Sequence, residues 1–177
     1  MTALRDWFHF VTDIPERGLA ESREATGEEC IELARELDIL SCDRLAVSYR
    51  IEAAGAGRYT FRGSLQADVS QACVVTLEPV PAHISEAFSV ELVPASDLED
   101  EPIVFGDREV SSVPDVEPIE KGRIMAGTIV FGVLSAALPS YPRKPGADFD
   151  WVDPKADPAE KDAENPFAAL TKLKPHS

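Results

Sequence analysis

Basic residues are scarce in this chain of 177 residues. It carries 17 Lys and Arg against 32 Asp and Glu, which gives a formal net charge of −15. A field of this sign repels phosphate, so a broad and nonspecific hold on nucleic acid is excluded, and any RNA contact has to be local. We expect neither DNA nor a membrane as a partner.

Long apolar runs are lacking too. The longest run without charge or proline, residues 124–138, has 15 residues, whereas a bilayer span needs about 20. The N-terminus, MTALRDWFHF, has no cationic segment followed by a long apolar stretch, so we expect no signal peptide. The three cysteines are odd in number and scattered, which fits a reducing compartment. The expected location is the cytoplasm.

The spacings typical of catalytic and metal sites are absent. The three histidines lie far apart, and the sequence contains no C-x-x-C, H-x-x-x-H, P-loop, G-x-S-x-G or G-x-G-x-x-G motif. Carboxylates are plentiful, but most lie in predicted loops, where nothing would desolvate them and shift their pKa values. We therefore expect a protein that is not an enzyme and holds no cofactor or metal.

Alternation of apolar and polar residues is the clearest pattern that the sequence does contain. Apolar residues occupy odd-numbered positions from Leu45 to Ala53 and from Tyr59 to Leu77, with Gly-Ala-Gly at 55–57 between the two runs. Alternation on both sides of a glycine turn predicts a β-hairpin with one buried face. A third run, 84–92, is expected to pair back after the prolines at 79 and 81.

Two helices are predicted beside these strands. Thr26 and Glu29 form a capping box, and Cys30 and Leu33 begin an apolar stripe at helical spacing, on which Cys30 is expected in the core. Residues 119–138 predict a second, mostly buried helix, and residues 7–11 a short strand. The expected fold class is α+β: an antiparallel sheet built on a long hairpin, two main helices packed on one face, and a short C-terminal helix on an acidic linker.

Four arginines share the polar face of the predicted hairpin: Arg44, Arg50, Arg58 and Arg62. A three-residue turn at 55–57 places Arg50 directly opposite Arg62. Like charges opposed across a ladder are destabilising, so either a bound anion or phosphate bridges them, or the arginines pair with nearby carboxylates. The sequence leaves both possibilities open.

Two acidic stretches divide the chain. Residues 97–109 hold six acids and one base, and residues 148–164 hold seven acids and two lysines. Such composition is typical of solvated loops and linkers. We therefore predict a single domain over residues 1–146, a linker over 147–164 and a terminal segment over 165–177.

The terminal segment predicts a short helix. Asn165 can cap it, Pro166 suits its first position, and Lys172 and Lys174 lie near the negative end of its dipole. About ten residues are too few to be helical alone in water. The segment must therefore dock through Phe167, Leu170 and Leu173, either on its own domain or on a partner.

Four segments in order resemble the YceD family in its alphaproteobacterial form. They are QACVVTLEPV at 71–80, preceded by GSLQA at 63–67, then LPSYPRKPG at 138–146 and NPFAALTKLK at 165–174. The resemblance implies a non-catalytic role in the accumulation of 23S ribosomal RNA, and hence in large-subunit assembly or rRNA processing. The residues that carry the first segment are Gln71, Cys73, Thr76, Leu77, Glu78 and Pro79.

One position departs from the family. Many members of the family have C-x-x-C in the first segment. In this chain the residue three positions after Cys73 is Thr76 instead of a second cysteine. If those relatives bind a metal through the cysteine pair, this chain cannot do so in that way. Cys73 is expected to be a buried core thiol.

Two hypotheses for the mode of action follow. In the first, the protein contacts large-subunit rRNA locally through basic residues, namely Arg44, Arg50, Arg58, Arg62, Arg143 and Lys144. In the second, it is an acidic adaptor or chaperone for a basic large-subunit ribosomal protein, recognises it through the two acidic stretches, and does not bind RNA directly.

Overall fold

The fold is seen in a computed structural model that describes residues 3–99 and 115–148. The chain divides into two compact units, Met1–Pro145 and Gly146–Ser177, and all the elements below belong to the first. The second unit lies outside the described residues from 149 onward. This leaves most of the predicted linker, and the whole terminal segment with Asn165, Pro166, Phe167, Leu170, Leu173 and Lys174, as predictions.

β-Strand is the most abundant structure in the described chain, at nearly half of its residues. In chain order the elements are β1 (His9–Phe10), a 3-10 helix (Val11–Asp13), β2 (Leu19–Glu24), α1 (Gly27–Glu36), β3 (Ser41–Gly55), β4 (Arg58–Ala72), β5 (Pro79–Pro94), α2 (Ala95–Glu99), β6 (Asp115–Ile119), β7 (Arg123–Ile124) and α3 (Ala126–Ala137). One sheet has the order β2-β3-β4-β5-β6, and β1 pairs with β7 in a second, two-stranded sheet. All pairs are antiparallel except β5 with β6, which is parallel.

The long hairpin of β3 and β4 forms as predicted, with a different turn. Ala56 and Gly57 both have positive φ, +52° and +75°, and a bulge lies between Ala53 and Gly55. A two-residue turn of this kind matches the right-handed twist of the strands. Adding the bulge gives the same register as the expected three-residue loop, so Leu45, Val47, Ile51, Phe61 and Leu65 all point into the core.

The expected α+β fold class, with two main helices packed on one face of the sheet, is wrong. The chain is mainly β, with a five-stranded sheet and three short helices among the described residues. The predicted helix over 119–138 is reduced to α3, because Ile119 ends β6 and residues 123–124 form β7. Lys121 and Gly122, both with positive φ, make the tight turn between these two strands. The Lys-Gly pair at 121–122 is the turn signal that separates the strands from α3.

Two other strand predictions need correction. The sequence pattern predicts no strand at β2. Its inward positions include Glu21 and Arg23, which are charged, so apolar and polar residues do not alternate there. The turn between β4 and β5 lies at residues 73–78, and the prolines at 79 and 81 begin β5 instead of forming that turn.

The first helix agrees with the sequence in its cap and its buried stripe. The Glu29 backbone N–H donates to Thr26 Oγ1 at 3.2 Å, and the Thr26 N–H donates to Glu29 Oε2 at 2.7 Å, so the predicted capping box is confirmed. Cys30 and Leu33 are buried against the sheet as expected.

The N-terminal segment is held against α3 at very short range. The Gly127 N–H donates to the Trp7 carbonyl at 2.8 Å, and Leu4 and Trp7 are both buried. A Cβ on Gly127 would overlap the Leu4 carbonyl oxygen. Glycine is therefore required at this position by the close approach of the two backbones.

Among residues 3–99 and 115–148, no helix has the length and apolar character that crossing a membrane requires.

Two glycines of α3 offer a matched test of this packing. Gly127→Ala is expected to lower the free energy of unfolding by about 1–3 kcal/mol, because the N-terminal segment must move away. Gly132→Ala, where nothing lies within 4 Å of the added Cβ, should raise it by about 0.5–1 kcal/mol through helix propensity. Urea unfolding of both variants measures the difference, and equal effects would contradict the close approach.

Candidate functional site

The two opposed arginines lie where the hairpin pattern placed them. Arg50 and Arg62 are direct partners in the β3–β4 ladder, which confirms the predicted register. Their bridge is a carboxylate of the chain itself: Glu52 Oε1 lies 2.9 Å from Arg50 Nε, and its other oxygen accepts from Arg62 Nη2. The two guanidinium groups hold the pKa of the Glu52 carboxyl below its usual range. An external anion is therefore not needed to offset the repulsion between Arg50 and Arg62.

The other arginines of this face are paired in the same manner. Arg44 Nε lies 2.8 Å from Glu24 Oε1, and Arg58 binds both Glu91, at 3.3 Å, and Asp97, at 3.0 Å. The structure therefore favours the second interpretation of the arginine face, in which carboxylates of the chain neutralise it. Exposed ion pairs of this type are weak individually, yet together they remove the excess positive charge that a phosphate backbone would require.

The first of the family-like segments forms the loop between β4 and β5. Residues 73–78, hereafter the 73–78 loop, are closed by two backbone hydrogen bonds: the Cys73 N–H donates to the Glu78 carbonyl at 2.8 Å, and the Leu77 N–H donates to the Cys73 carbonyl at 2.9 Å. Pro79 then begins β5 opposite Ala72.

The third of the family-like segments lies directly on this loop. Val74 N–H donates to the Pro142 carbonyl at 2.9 Å, and Gln71 Nε2 donates to the Pro139 carbonyl at 3.2 Å. Lys144 contacts the loop through both its backbone and its side chain. Its backbone N–H donates to Cys73 Sγ at 3.4 Å, and its ammonium group lies 2.9 Å from the Glu78 carboxylate. The segments 71–80 and 138–146, whose nearest ends are 58 positions apart in the sequence, thus form one contact surface.

Cys73 is fully buried, as predicted, but its surroundings are polar and it is absent from the main apolar cluster. Hydrogen bonds from the Thr76 hydroxyl and from the backbone N–H groups of Lys144, Thr76 and Val75 lower the pKa of the Cys73 thiol to about 6. The predicted burial of Cys73 is confirmed, and these donors distinguish its thiol from one in a purely apolar site. The Thr76 hydroxyl serves as a hydrogen-bond donor to the sulfur.

Several apolar side chains remain exposed around the contact surface. Leu77 is 76% exposed and holds a left-handed φ of +62°, which is unfavourable for leucine. Tyr141 is 81% exposed, and Val74 is also exposed. Arg143, two residues after Tyr141, is exposed as well, and among the described residues no carboxylate lies within ion-pair distance of it.

A polar network that has no signature in the sequence connects the N-terminal segment to the sheet. His9 Nε2 lies 2.7 Å from the Tyr49 hydroxyl, which donates to Glu21 at 3.2 Å, and Glu21 in turn binds Arg23 at 2.7 Å. Burial lowers the pKa of His9 and raises that of Tyr49, so both are held neutral. The residues of this network lie on β1, β2 and β3. Their spacing in the sequence therefore does not predict that they meet.

No metal cluster is formed by the part of the chain that the structure describes: no group of three or more His, Cys, Asp or Glu side chains lies within reach of one ion. Comparison with protein-family models, with curated proteins and with solved structures finds no match. The likeness to the YceD family rests on the four sequence segments alone.

The Cys73 thiol predicts a pH dependence of stability. Its pKa is about 6 in the folded chain against an ordinary value of 9.0, so the folded state favours the thiolate. This stabilisation should be complete above pH 9, decline as the pH falls, and vanish near pH 6. Cys73→Ser, which cannot ionise, should remove that slope when unfolding is measured across this range.

Cys42→Ser is the matched control for this titration. Burial raises the pKa of Cys42 to about 12 from its ordinary value of 9.0, so its thiol is neutral in the folded state over the same range. Its effect has the opposite sign, a loss of stability that begins only as the pH approaches 9. A slope that is unchanged in Cys73→Ser, or that disappears in Cys42→Ser, would refute the assignment to Cys73.

Proposed function

We propose that this protein is a non-catalytic cytoplasmic factor that supports accumulation of 23S rRNA and assembly of the large ribosomal subunit. In this proposal it acts as an acidic adaptor that binds a basic large-subunit ribosomal protein. The likeness to the YceD family supports the process, and the contact between residues 71–80 and 138–146 supports a shared role for the segments that carry the likeness.

The ion pairs of the hairpin arginines favour the adaptor function over direct contact with RNA. Each hairpin arginine that was a candidate for RNA contact already binds a carboxylate of its own chain. A phosphate would have to displace those carboxylates, and it would approach a chain with a net charge of −15. The same charge attracts a basic protein and accelerates its association.

A second candidate function is local contact with rRNA at the edge of the 73–78 loop. The observation that favours it is an exposed aromatic ring, Tyr141, two residues before an exposed cation, Arg143. Unpaired bases stack on such rings, and a neighbouring arginine supplies the phosphate contact. This contact would not involve the hairpin arginines.

Binding measured against purified basic large-subunit ribosomal proteins and against 23S rRNA fragments, at several salt concentrations, separates the two functions. With wild-type protein we expect a basic ribosomal protein to bind, with affinity that falls as salt rises. The double variant Arg50→Gln/Arg62→Gln should bind that protein as wild type does. If the hairpin arginines instead held RNA, the double variant would lower the salt slope for rRNA by about two.

The variant Tyr141→Ala/Arg143→Gln provides the matching measurement for the second candidate. Loss of rRNA binding in this variant alone would establish the local contact. Failure of the wild-type protein to bind any basic ribosomal protein would overturn the adaptor proposal.

A further inference from the structure

Strand β5 has a neighbour on one side only over most of its length. It pairs with β4 from Pro79 to Pro94, but β6 joins its other side only from Val90 onward. Within residues 3–99 and 115–148, the outer edge of β5 from Ala82 to Ser89 carries no strand. Its outward N–H and C=O groups therefore form a template for one more strand.

A groove of about 440 Å³ runs beside this edge. Its apolar wall comes from Phe88 of β5 and from α3, which contributes Gly132, Val133 and Ala136. Nothing lies within 4 Å of the position where a Cβ on Gly132 would sit. An extended segment next to β5 could place alternate side chains against this wall.

The charged residues of the groove are both acidic. Glu86 and Asp115 line it, both are exposed, and no basic side chain of the described chain lines it with them. Glu86 lies on the same sheet face as Ile84 and Phe88, the face that packs against the helices, yet it remains exposed because α3 does not cover it. Within the described part of the chain, the groove thus combines an apolar wall with two acidic side chains and no basic one.

We propose that the open edge of β5 binds an extended basic segment of a partner protein, which adds to the sheet as a strand. The lysine or arginine side chains of that segment would face Glu86 and Asp115, and its apolar side chains would lie on α3. This inference rests on the proposed adaptor function and names the surface that the basic partner would use.

Charge argues against a second copy of the chain as the occupant. Two copies paired edge to edge would bring two Glu86 side chains into one groove, and each copy carries a net charge of −15. Like charges across a ladder are destabilising, whereas a cation opposite Glu86 gives a favourable cross-strand pair. A charge that points inward at an edge is also a device by which proteins resist unspecific strand pairing.

The probe is an eight-residue peptide of alternating Lys and Val with blocked ends. We expect the full-length protein to bind it, and to bind the peptide with Glu in place of Lys at least tenfold more weakly. Two further peptides carry N-methyl groups on one or the other alternate set of amides. Strand addition requires that one set abolishes binding and the other is tolerated; equal effects of the two sets would overturn it.

Protein variants locate the probe. Glu86→Lys should weaken binding at least tenfold, whereas Glu16→Lys, an equal change of net charge at an exposed turn outside the groove, should have a much smaller effect. Ala136→Phe fills the groove from an exposed helix position and should also weaken binding. Circular dichroism and thermal unfolding check that each variant folds, and equal weakening by the two lysine variants would place the probe elsewhere.

Amide hydrogen exchange identifies the occupant of the edge in the free protein. We expect alternate amides from Ala82 to Ser89 to exchange quickly and to become protected when the peptide binds. Protection already present in the free monomer would mean that the chain covers its own edge. Protection that depends on protein concentration would mean that a second copy does, and either result overturns the proposal.

The two proposals fail separately. If a basic ribosomal protein binds wild-type and Glu86→Lys protein equally, the adaptor function stands and the β5 edge is wrong as its site. If the peptide binds at the edge and no basic ribosomal protein binds, the edge stands as a site for basic segments and the proposed function is wrong.

Discussion

The register between β3 and β4 is the constraint on which the rest of the structure depends. The turn at Ala56–Gly57 and the bulge beside it set this register, and the large apolar residues of both strands then face one side. A slip by one residue would move the whole apolar set to the solvent side. The packing of α1 and α3, and the position of β5, follow from the surface that this register creates.

The same register also decides the character of the polar face. It places Arg50 opposite Arg62 and brings Glu52 within reach of both. A face that looks basic in the sequence is thereby neutralised by the protein itself. The negative charges that remain without a described partner include Glu86 and Asp115 in the groove beside β5, so the surface of this chain is suited to a cation more than to a phosphate backbone.

Part of the candidate site could be predicted from the sequence. Period-two alternation predicts the burial of Leu45 and Phe61, and parity predicts the pairing of Arg50 with Arg62, because both follow from local pattern. The contact of Lys144 with Cys73 and Glu78 could not be predicted, since it joins residues more than 60 positions apart. The fold class was wrong because β2 has charged inward positions and β6 contains a proline, which conceal their strands.

The sequence by itself determined the hairpin, the first helix with its cap, and the excess of negative charge, because each depends on neighbours in the chain or on composition. Tertiary structure decided the state of Cys73, whose burial follows from pattern but whose lowered pKa depends on donors from the 73–78 loop and from Lys144. It also decided which arginines are neutralised and, among the described strands, where β6 joins β5. These properties depend on distances between elements, and distances between elements exist only once the chain has folded.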